Sequence, residues 1–472
     1  MSERYARLGS DWLLRGWSDT PIAIVNRKTG EVRPLTKKAF YVTDSCDGNT
    51  NFDSFAFLPE HNALLDALIN QGIAETCNKG DLRSAHQEYR KANNPQLSGI
   101  HWCITGRCNL NCRHCFMESP SGRYGELPLS DMLGLIDQFV EANVLNISLT
   151  GGEPFMRRDI LDIVDALATN GIYLNQIYSN GLLITPEHLT AIKKAGYRPT
   201  FQISFDGVSA HDEMRGSTKS EHRVIEAIEM LKSADFPVVV ATSLDATNAK
   251  QMLQTYKLMR DLGVSSWRVA TPWRVGNWKT ATTALPIDDE VRLYETLLQA
   301  WLKDNRPFNL QLSGLFTGFK GEAGKTYKPT YKPESHDCGS CRERPYLLPD
   351  GTLLPCPGYV ESGIHEQMPS VFQKPLTKLW SDSVLREIAD MKKEDLLSEN
   401  ADCADCDSFE ECGLGCRAVA LIETGILKAK DPNTCNAWKK GYSNHLLKIA
   451  DRDRNLLSSN EENSAVPFLA NP

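Results

Sequence analysis

The chain has 472 residues, enough for two to four domains with substantial apolar cores. Its hydrophobic content of 41% and charged content of 24% are those of an ordinary soluble globular protein. A net charge of −8 argues against a nucleic-acid binder. The sequence contains no run of about 18 apolar residues, so no membrane span is predicted. The N-terminus lacks the apolar core of a secretory signal, so we expect a cytoplasmic protein. In that reducing compartment its fourteen cysteines are better suited to metal ligation than to disulfides.

The first eighty residues form the first predicted unit. Three runs are typical of short strands, DWLLRGW, PIAIVNR and EVRPL, and two are typical of helices, TKKAFYVTDSCDG and LPEHNALLDALINQGI. This layout predicts a winged-helix-like module over residues 1–80. Residues 1–90 carry eleven Lys or Arg and twelve Asp or Glu, which is a poor electrostatic match to DNA. Polar residues 81–98 are predicted to link the module to the next unit of the chain.

Residues 99–320 alternate short apolar runs with amphipathic helices, which predicts an α/β unit with a parallel, barrel-like sheet. The six strand-like runs are GIHWCI, NVLNISLTGG, LNQIYSNG, TFQISFDG, PVVVATSLD and SSWRVATP. The six helix-like runs are LSDMLGLIDQFVEAN, RRDILDIVDALATNG, TPEHLTAIKKAG, SEHRVIEAIEMLKSADF, NAKQMLQTYKLMRDLG and IDDEVRLYETLLQAWLKD. Loops at the carboxyl ends of such strands build the active site.

Four motifs come directly after the first four of these strands, so we expect them to meet at one rim. They are GRCNLNCRHCFM, TGGEP, YSNG and SFDG. The first contains three cysteines within eight positions, Cys108, Cys112 and Cys115. A cubane iron–sulfur cluster takes one ligand per iron, so three cysteines leave one iron open to a substrate or cofactor. The alternative is a zinc site with His101, His114 or Cys103 as fourth ligand.

Eight more cysteines lie in a predicted cysteine-rich domain, residues 336–450, after a linker at 321–335 and before a polar tail at 451–472. They are Cys338, Cys341, Cys356, Cys403, Cys406, Cys412, Cys416 and Cys435. Eight thiolates complete two cubane clusters with no open iron, and two structural zinc sites are the alternative. The remaining three, Cys46, Cys77 and Cys103, are predicted to be ordinary buried thiols.

The C-x3-C-x2-C motif, with GGEP after the next strand, resembles the radical SAM superfamily, over about residues 99–320. The resemblance implies a partial (β/α)6 TIM-like barrel, a [4Fe–4S] cluster on Cys108, Cys112 and Cys115, and S-adenosylmethionine (SAM) on the open iron. One-electron reduction then yields a 5′-deoxyadenosyl radical that takes a hydrogen atom from the substrate. The resemblance also assigns SAM-binding residues: His114 near the adenine, the GGE strand at the methionyl amino group, and two residues at its carboxylate or the ribose. By number these cofactor-binding residues are His114, Gly151, Gly152, Glu153, Asn180, Ser204 and Arg215.

The later cysteines resemble the SPASM extension of radical SAM enzymes. That resemblance implies two auxiliary [4Fe–4S] clusters, and thus three clusters in all. One would be held by Cys338, Cys341, Cys356 and Cys416, and the other by Cys403, Cys406, Cys412 and Cys435.

The N-terminal layout resembles the RiPP recognition element, which binds the leader of a ribosomally made precursor peptide at a sheet edge. Together these resemblances imply a peptide maturase that forms a thioether crosslink, with an external low-potential electron donor of flavodoxin or ferredoxin type. Other outcomes remain open within this class: carbon–carbon crosslinking, decarboxylation and epimerisation. Rival functions are a sulfatase-maturing enzyme, a tetrapyrrole-modifying enzyme and a redox-sensing DNA-binding regulator.

Overall fold

The computed structural model describes residues 3–119, 121–321, 330–381 and 384–458. Its strands are β1 (Tyr5–Leu8), β2 (Trp12–Gly16), β3 (Ala23–Asn26), β4 (Val32–Pro34), β5 (Ala74–Cys77), β6 (Arg90–Lys91), β7 (Gly99–Cys103), β8 (Asn146–Thr150), β9 (Tyr173–Ser179), β10 (Thr200–Ser204), β11 (Val238–Ser243), β12 (Ser266–Ala270), β13 (Asn309–Leu312), β14 (Phe316–Gly318), β15 (Tyr346–Leu347) and β16 (Leu353–Leu354).

The α-helices begin with two in the N-terminal module, α1 (Lys37–Asp44) and α2 (Pro59–Asn70). Those of the barrel are α3 (Leu129–Glu141), α4 (Ile160–Thr169), α5 (Pro186–Lys194), α6 (His211–Arg215), α7 (Ser220–Ser233), α8 (Met252–Leu262) and α9 (Ile287–Lys303). The remainder are α10 (Gly339–Glu343), α11 (Leu376–Ser381), α12 (Val384–Ala389), α13 (Lys393–Leu397), α14 (Phe409–Cys412), α15 (Arg417–Thr424), α16 (Pro432–Lys439) and α17 (Tyr442–Ser458).

The main sheet has ten strands among the described residues, in the order β14-β13-β12-β11-β10-β9-β8-β7-β15-β16. All pairs from β15 to β13 are parallel, and β14 and β16 close the two ends antiparallel. The six predicted strands are β7 to β12, and the six predicted helices are α3, α4, α5, α7, α8 and α9. The predicted barrel-like parallel sheet is therefore confirmed, and it is wider than its six units because β15 extends it beside β7.

The two faces of the barrel strands differ in polarity, and the face toward the barrel interior is the more polar one. On β12, Trp267 and Val269 are fully buried in the layer between sheet and helices, where Trp267 packs edge-on against Phe308. Burying a side chain of this size contributes about 1.5–3 kcal/mol. The alternate positions face the interior, and they include Gln202 on β10 and Arg268 on β12.

The N-terminal module contains the three predicted strands as β2, β3 and β4, and both predicted helices. They form a sheet in the order β4-β3-β2-β6, beside a separate pair of β1 and β5. Cys46 is fully buried in the core of this module, where burial raises the pKa of its thiol to about 12. Cys103, buried in the barrel, has its pKa raised to about 12 for the same reason, whereas Cys77 is only half-buried.

Residues 81–98 pack closely on the N-terminal module. Gln87 is buried and donates hydrogen bonds to the carbonyls of Gly9 at 2.9 Å and Trp12 at 3.0 Å. Strand β6 also lies in this segment and pairs with β2.

The module rests on the barrel face opposite the carboxyl ends of the strands. Trp17 donates its indole N–H to the Ala142 carbonyl at 3.1 Å, and Asn143 donates to the Gly16 carbonyl at 3.0 Å. Residues 142–145 lead directly into β8, so the contact lies at the amino end of that strand.

The C-terminal region ends in α17, which packs against α9 of the barrel through His445 and Glu295, at 3.1 Å. This helix runs to Ser458, so it enters the segment predicted as a tail at 451–472; the rest of that tail, 459–472, lies outside the described residues. Most of the linker predicted at 321–335 lies outside them too. Within the described residues no helix is both long and apolar enough to cross a bilayer.

Candidate active site

The four rim motifs surround one cavity of about 330 Å³ at the carboxyl ends of the barrel strands. That volume lies at the lower end of the range for small-molecule sites. The predicted site residues that line it are Cys108, Cys112, Cys115, His114, Gly151, Gly152, Asn180, Ser204 and Arg215. The structure therefore brings together every residue predicted for the cluster and SAM except Glu153.

Each sulfur of the three-cysteine loop lies close to nitrogen donors. The Leu110 amide donates to Cys108 Sγ at 3.4 Å, and the Ser119 amide donates to Cys115 Sγ at 3.3 Å. The Arg215 guanidinium donates to Cys112 Sγ at 3.6 Å. Such donors stabilise negative charge on sulfur, which suits thiolate ligands of an iron–sulfur cluster.

Burial raises the pKa of the Cys108 and Cys112 thiols when no metal is bound. The pKa of Cys108 rises to about 12, and that of Cys112 also lies above its ordinary value. A cluster would thus displace protons from both sulfurs on binding, and its assembly should be favoured by alkaline pH.

Gly151 and Gly152 lie flush against the cysteine loop. The Gly152 amide donates to the Thr105 carbonyl at 2.8 Å. A Cβ on Gly152 would lie 2.4 Å from the Arg107 carbonyl oxygen and 3.0 Å from the Cβ of Cys108. The pair is therefore glycine because the two loops touch, and its backbone remains exposed to the cavity.

The Glu153 carboxylate does not line the cavity, and its expected contact with the methionyl amino group stays a prediction. The residue is fully buried, and its carboxylate accepts hydrogen bonds from the Ser179 hydroxyl at 2.9 Å and the Asn180 amide at 2.7 Å. It thereby fixes the YSNG turn to the GGEP loop. Burial raises its pKa to about 7, although these donated hydrogen bonds act in the opposite direction.

Arg215 is held by a buried carboxylate as well as by Cys112. Its Nε lies 2.6 Å from Asp206 Oδ2, and its Nη2 donates to Asp206 Oδ1 at 3.1 Å. Burial opposes the ionisation of Asp206, but Arg215 and His114 lower its pKa below the ordinary value. Burial lowers the pKa of His114 to about 4, so this imidazole is neutral at neutral pH. Asp206 thus balances the charge of Arg215 inside the site.

The eight later cysteines lie in two places. One set lines a small cavity of about 30 Å³: Cys403, Cys406, Cys412 and Cys435. In the other set, the Cys341 thiol contacts both Cys338 and Cys356, and Tyr359 is electrostatically coupled to Cys341, Cys356 and Cys416. Contact with Cys341 and backbone N–H groups lowers the pKa of Cys338 to about 6.

Three buried charges connect the segments that carry these cysteines. Lys393 Nζ lies 2.6 Å from Asp337 Oδ1, and Arg417 Nε lies 3.5 Å from the same oxygen. Asp337 precedes Cys338 and Arg417 comes after Cys416. The two cations and one anion therefore help to position cysteines that are about 80 residues apart in sequence.

Several cavity residues are outside the predicted cofactor-binding set, namely Tyr178, Gln202, Arg268 and Trp273. Three of them occupy inward-facing positions of barrel strands. The sequence signal that could have identified these three residues is a polar or charged residue that alternates with apolar residues in a predicted strand, as in SSWRVATP.

Comparison with known proteins identifies the barrel. The family model described as the radical SAM superfamily matches residues 102–259. These residues form a radical SAM domain. The radical SAM family implies a [4Fe–4S] cluster and SAM, and the cavity offers three thiols with N–H donors beside a glycine backbone, which fits both groups.

Two curated relatives match most of this chain. The AdoMet-dependent heme synthase of Methanosarcina barkeri is 28% identical over 362 residues, covering 72% of this chain and 96% of the relative. Mycofactocin maturase MftC of Mycobacterium tuberculosis is 26% identical over 345 residues, covering 71% of this chain and 81% of the relative. The chain is an enzyme that contains a radical SAM domain, and it is similar both to peptide maturases and to heme synthases.

Among solved structures, SuiB of Streptococcus suis bound to its precursor peptide SuiA has a TM-score of 0.64 at 17% identity. The match covers 91% of this chain and 99% of SuiB. This likeness shows a shared fold. Because residues 1–98 are about a fifth of the chain, coverage of 91% includes part of the N-terminal module.

Proposed function

We propose that this radical SAM enzyme oxidatively modifies a ribosomally made precursor peptide, most specifically by closing a thioether crosslink. The observation that carries the proposal is the cavity that joins the three-cysteine loop to the GGEP loop. The two further four-cysteine sets support the redox part of the proposal. The N-terminal sheet, which has an open edge, supports the peptide part. The enzyme would work in the cytoplasm with an external electron donor of flavodoxin or ferredoxin type.

In this proposal, Cys108, Cys112 and Cys115 hold the SAM-binding cluster. The backbone of Gly151 and Gly152 provides acceptors for the methionyl amino group, while Asn180 and Ser204 offer polar contacts from neighbouring strands. When bound, the cluster and SAM would supply the radical chemistry that removes a hydrogen atom from the substrate. Arg215, fixed by Asp206, places its charge beside the sulfur of Cys112.

The two later cysteine sets are proposed to hold two auxiliary [4Fe–4S] clusters, one for each group of four thiols. One set, Cys403, Cys406, Cys412 and Cys435, lines the wall of a small cavity. Ligands spread around a space suit a multi-iron cluster, whose ligands sit at its corners.

Formation of a thioether crosslink requires an acceptor for one electron. Forming a C–S bond from a C–H and an S–H bond removes two hydrogens from the peptide. One leaves as the hydrogen atom taken by the deoxyadenosyl radical, and the thiol hydrogen leaves as a proton plus an electron. Filled clusters at the later cysteines would accept that electron, whereas a redox-neutral isomerisation would not need them.

The leader peptide is proposed to add a strand beside β4. Among the described residues β4 pairs only with β3, and the Leu35 amide donates to the Ile22 carbonyl at 2.9 Å. The Asn26 amide donates to the Glu31 carbonyl at 2.9 Å. Since antiparallel bonding alternates, residues 31, 33 and 35 face β3, and the N–H of Val32 faces the open edge. A peptide strand could pair there.

The cofactor part is tested by counting iron. Anaerobically reconstituted protein should hold about twelve irons, as three cubanes require. Changing Cys108, Cys112 and Cys115 to Ala together should remove about four and abolish 5′-deoxyadenosine formation on reduction with dithionite. Cys77→Ala, at a half-buried thiol outside all three sets, is the control. Zinc in place of iron, or continued SAM cleavage by the triple variant, would refute this part.

The peptide part is tested by co-expression with each short open reading frame beside the gene. A crosslinked product should be lighter by two hydrogens and resist alkylation with iodoacetamide. Deuterium from the acceptor carbon should appear in 5′-deoxyadenosine. Loss of carbon dioxide would indicate decarboxylation instead, and an unchanged mass with inverted stereochemistry would indicate epimerisation.

The leader part is tested at a single backbone group. Val32→Pro removes the outward N–H of β4 and leaves the bonds to β3 in place. It should weaken precursor binding, measured by fluorescence anisotropy, whereas Val32→Ala retains the N–H and should bind as the wild type does. Equal binding by both variants would show that the leader does not pair at this edge.

The similarity to heme synthases favours a second candidate, oxidation of a tetrapyrrole substrate. That similarity covers 72% of this chain, and this function leaves the open edge of the N-terminal sheet without a role. Incubation of the reduced enzyme with porphyrin substrates, with the products measured by mass spectrometry, would separate the two candidates.

A further inference from the structure

Arg268 lies inside the barrel, in the wall of the active-site cavity. Its neighbours Trp267 and Val269 are fully buried on the helix side of β12, so strand alternation turns Arg268 inward. Its strand register pairs it with Ala241, which pairs in turn with Ser204. Arg268 therefore lies at the same level of the barrel as Ser204, a residue predicted to contact SAM.

Among the described residues, no protein carboxylate balances the charge of Arg268. The side chain is exposed to the cavity, and within the described part of the chain it has no ion pair or hydrogen-bond partner. No aspartate or glutamate of that part lines the cavity. The other cavity arginine, Arg215, is paired with Asp206 at 2.6 Å. In a partly enclosed site, an arginine without a paired carboxylate attracts an anion more strongly than a surface arginine does.

Other residues in the wall of this cavity suit a ligand that is polar at one end and apolar at the other. Gln202 and Tyr178 line the same cavity, and Gln202 Oε1 is 3.5 Å from Gln176 Nε2 in the next strand. Trp273 lines it too, on the loop after β12. A planar guanidinium presents paired N–H donors that match the two oxygens of a carboxylate.

We propose that Arg268 binds a carboxylate of the substrate and so fixes the reacting carbon in the cavity. The proposal deepens the proposed function and rests on it, since the substrate must enter the cavity that holds SAM. It makes the substrate class a peptide with an acidic group near the modified residue. The group is either an Asp or Glu side chain or the terminal carboxylate of the chain.

Three capped amino acids test this by calorimetric titration into anaerobically reconstituted, SAM-loaded enzyme. Ac-Glu-NHMe carries a side-chain carboxylate, Ac-Gln-OH carries a terminal one, and Ac-Gln-NHMe is the neutral counterpart. At least one acidic probe should bind about tenfold or more tightly than the neutral probe, as a charge-assisted pair implies. Which acidic probe is preferred identifies the source of the carboxylate.

Variants assign this preference to Arg268. Arg268→Gln should abolish it and Arg268→Lys should retain part of it. Arg158→Gln removes an exposed arginine that does not line the cavity, and it should retain the full preference.

Two results would overturn the proposal. One is equal affinity of wild-type enzyme for the acidic and neutral probes. The other is a loss of SAM affinity in Arg268→Gln as large as the loss of acidic-probe affinity, because Arg268 would then serve the carboxylate of SAM. The proposed function fails separately, through absence of 5′-deoxyadenosine from reduced wild-type enzyme.

Discussion

Asp337 lies at the centre of the buried charges in the cysteine-rich region, which makes Asp337→Asn a sharp test of how that region is held. The Asp337 side chain is 2% exposed, and those of Lys393 and Arg417 are 1% and 2% exposed. Asparagine keeps the shape of the residue and removes its charge. The variant would leave two cations in a dry interior without their anion.

The cost of this change comes from burial. Removing one partner of a buried ion pair destabilises a protein by about 3–5 kcal/mol. For an unfolding unit of about 150–250 residues, each kcal/mol lowers the Tm by about 2–4 °C, so the Tm should fall by roughly 6–20 °C. Lys393 also donates to the Gly413 carbonyl beside Cys412, so both cysteine sets are disturbed. The iron content should fall with the Tm.

The assay is anaerobic thermal unfolding monitored by tryptophan fluorescence, with iron measured on the same samples. Asp402→Asn is the matched control, because Asp402 precedes Cys403 and pairs with Lys430, but these side chains are 57% and 32% exposed. The control should unfold close to the wild-type Tm, since exposed pairs contribute little. A Tm for Asp337→Asn within about 1 °C of wild type would refute the reasoning, as would an equal fall in the control.

Three further outcomes are expected in the barrel. Gly152→Ala should displace the cysteine loop and reduce both bound iron and 5′-deoxyadenosine formation. The control, Gly134→Ala, lies in open space on α3 and should raise stability by about 0.5–1 kcal/mol. Equal effects of the two changes would contradict the close approach of Gly152 to the cysteine loop. The pKa of Glu153 is raised to about 7, so its contribution to stability is present below about pH 4.5 and is lost, by about 3 kcal/mol, as pH rises through 7. Glu153→Gln should lack this loss, so its Tm should rise relative to that of the wild type between pH 5 and 8. A difference in Tm that stays constant over this pH range would argue against the raised pKa of Glu153. Asp206→Asn should lower the Tm and slow SAM cleavage because Arg215 loses its buried partner, and wild-type values for both would be inconsistent with that role.

The sequence by itself determined the barrel strands and helices and the contents of the rim. Periods of 2 and 3.6 residues locate β7 to β12 and the six major helices, because alternation decides which side chains can be buried. The cysteine loop, GGEP and SFDG each come after a strand, and parallel strands end at one edge. Their convergence on one cavity could thus be predicted without coordinates.

Only the tertiary structure decided contacts between residues far apart in sequence. It turns the Glu153 carboxylate away from the cavity toward Ser179, and it pairs Tyr346 of β15 with His101 of β7. Among the described residues it also leaves Arg268 without a carboxylate partner. Local patterns record which face a side chain occupies, but not which distant group meets it there. Those partners depend on how the elements pack, and they set charge balance and the contents of the site.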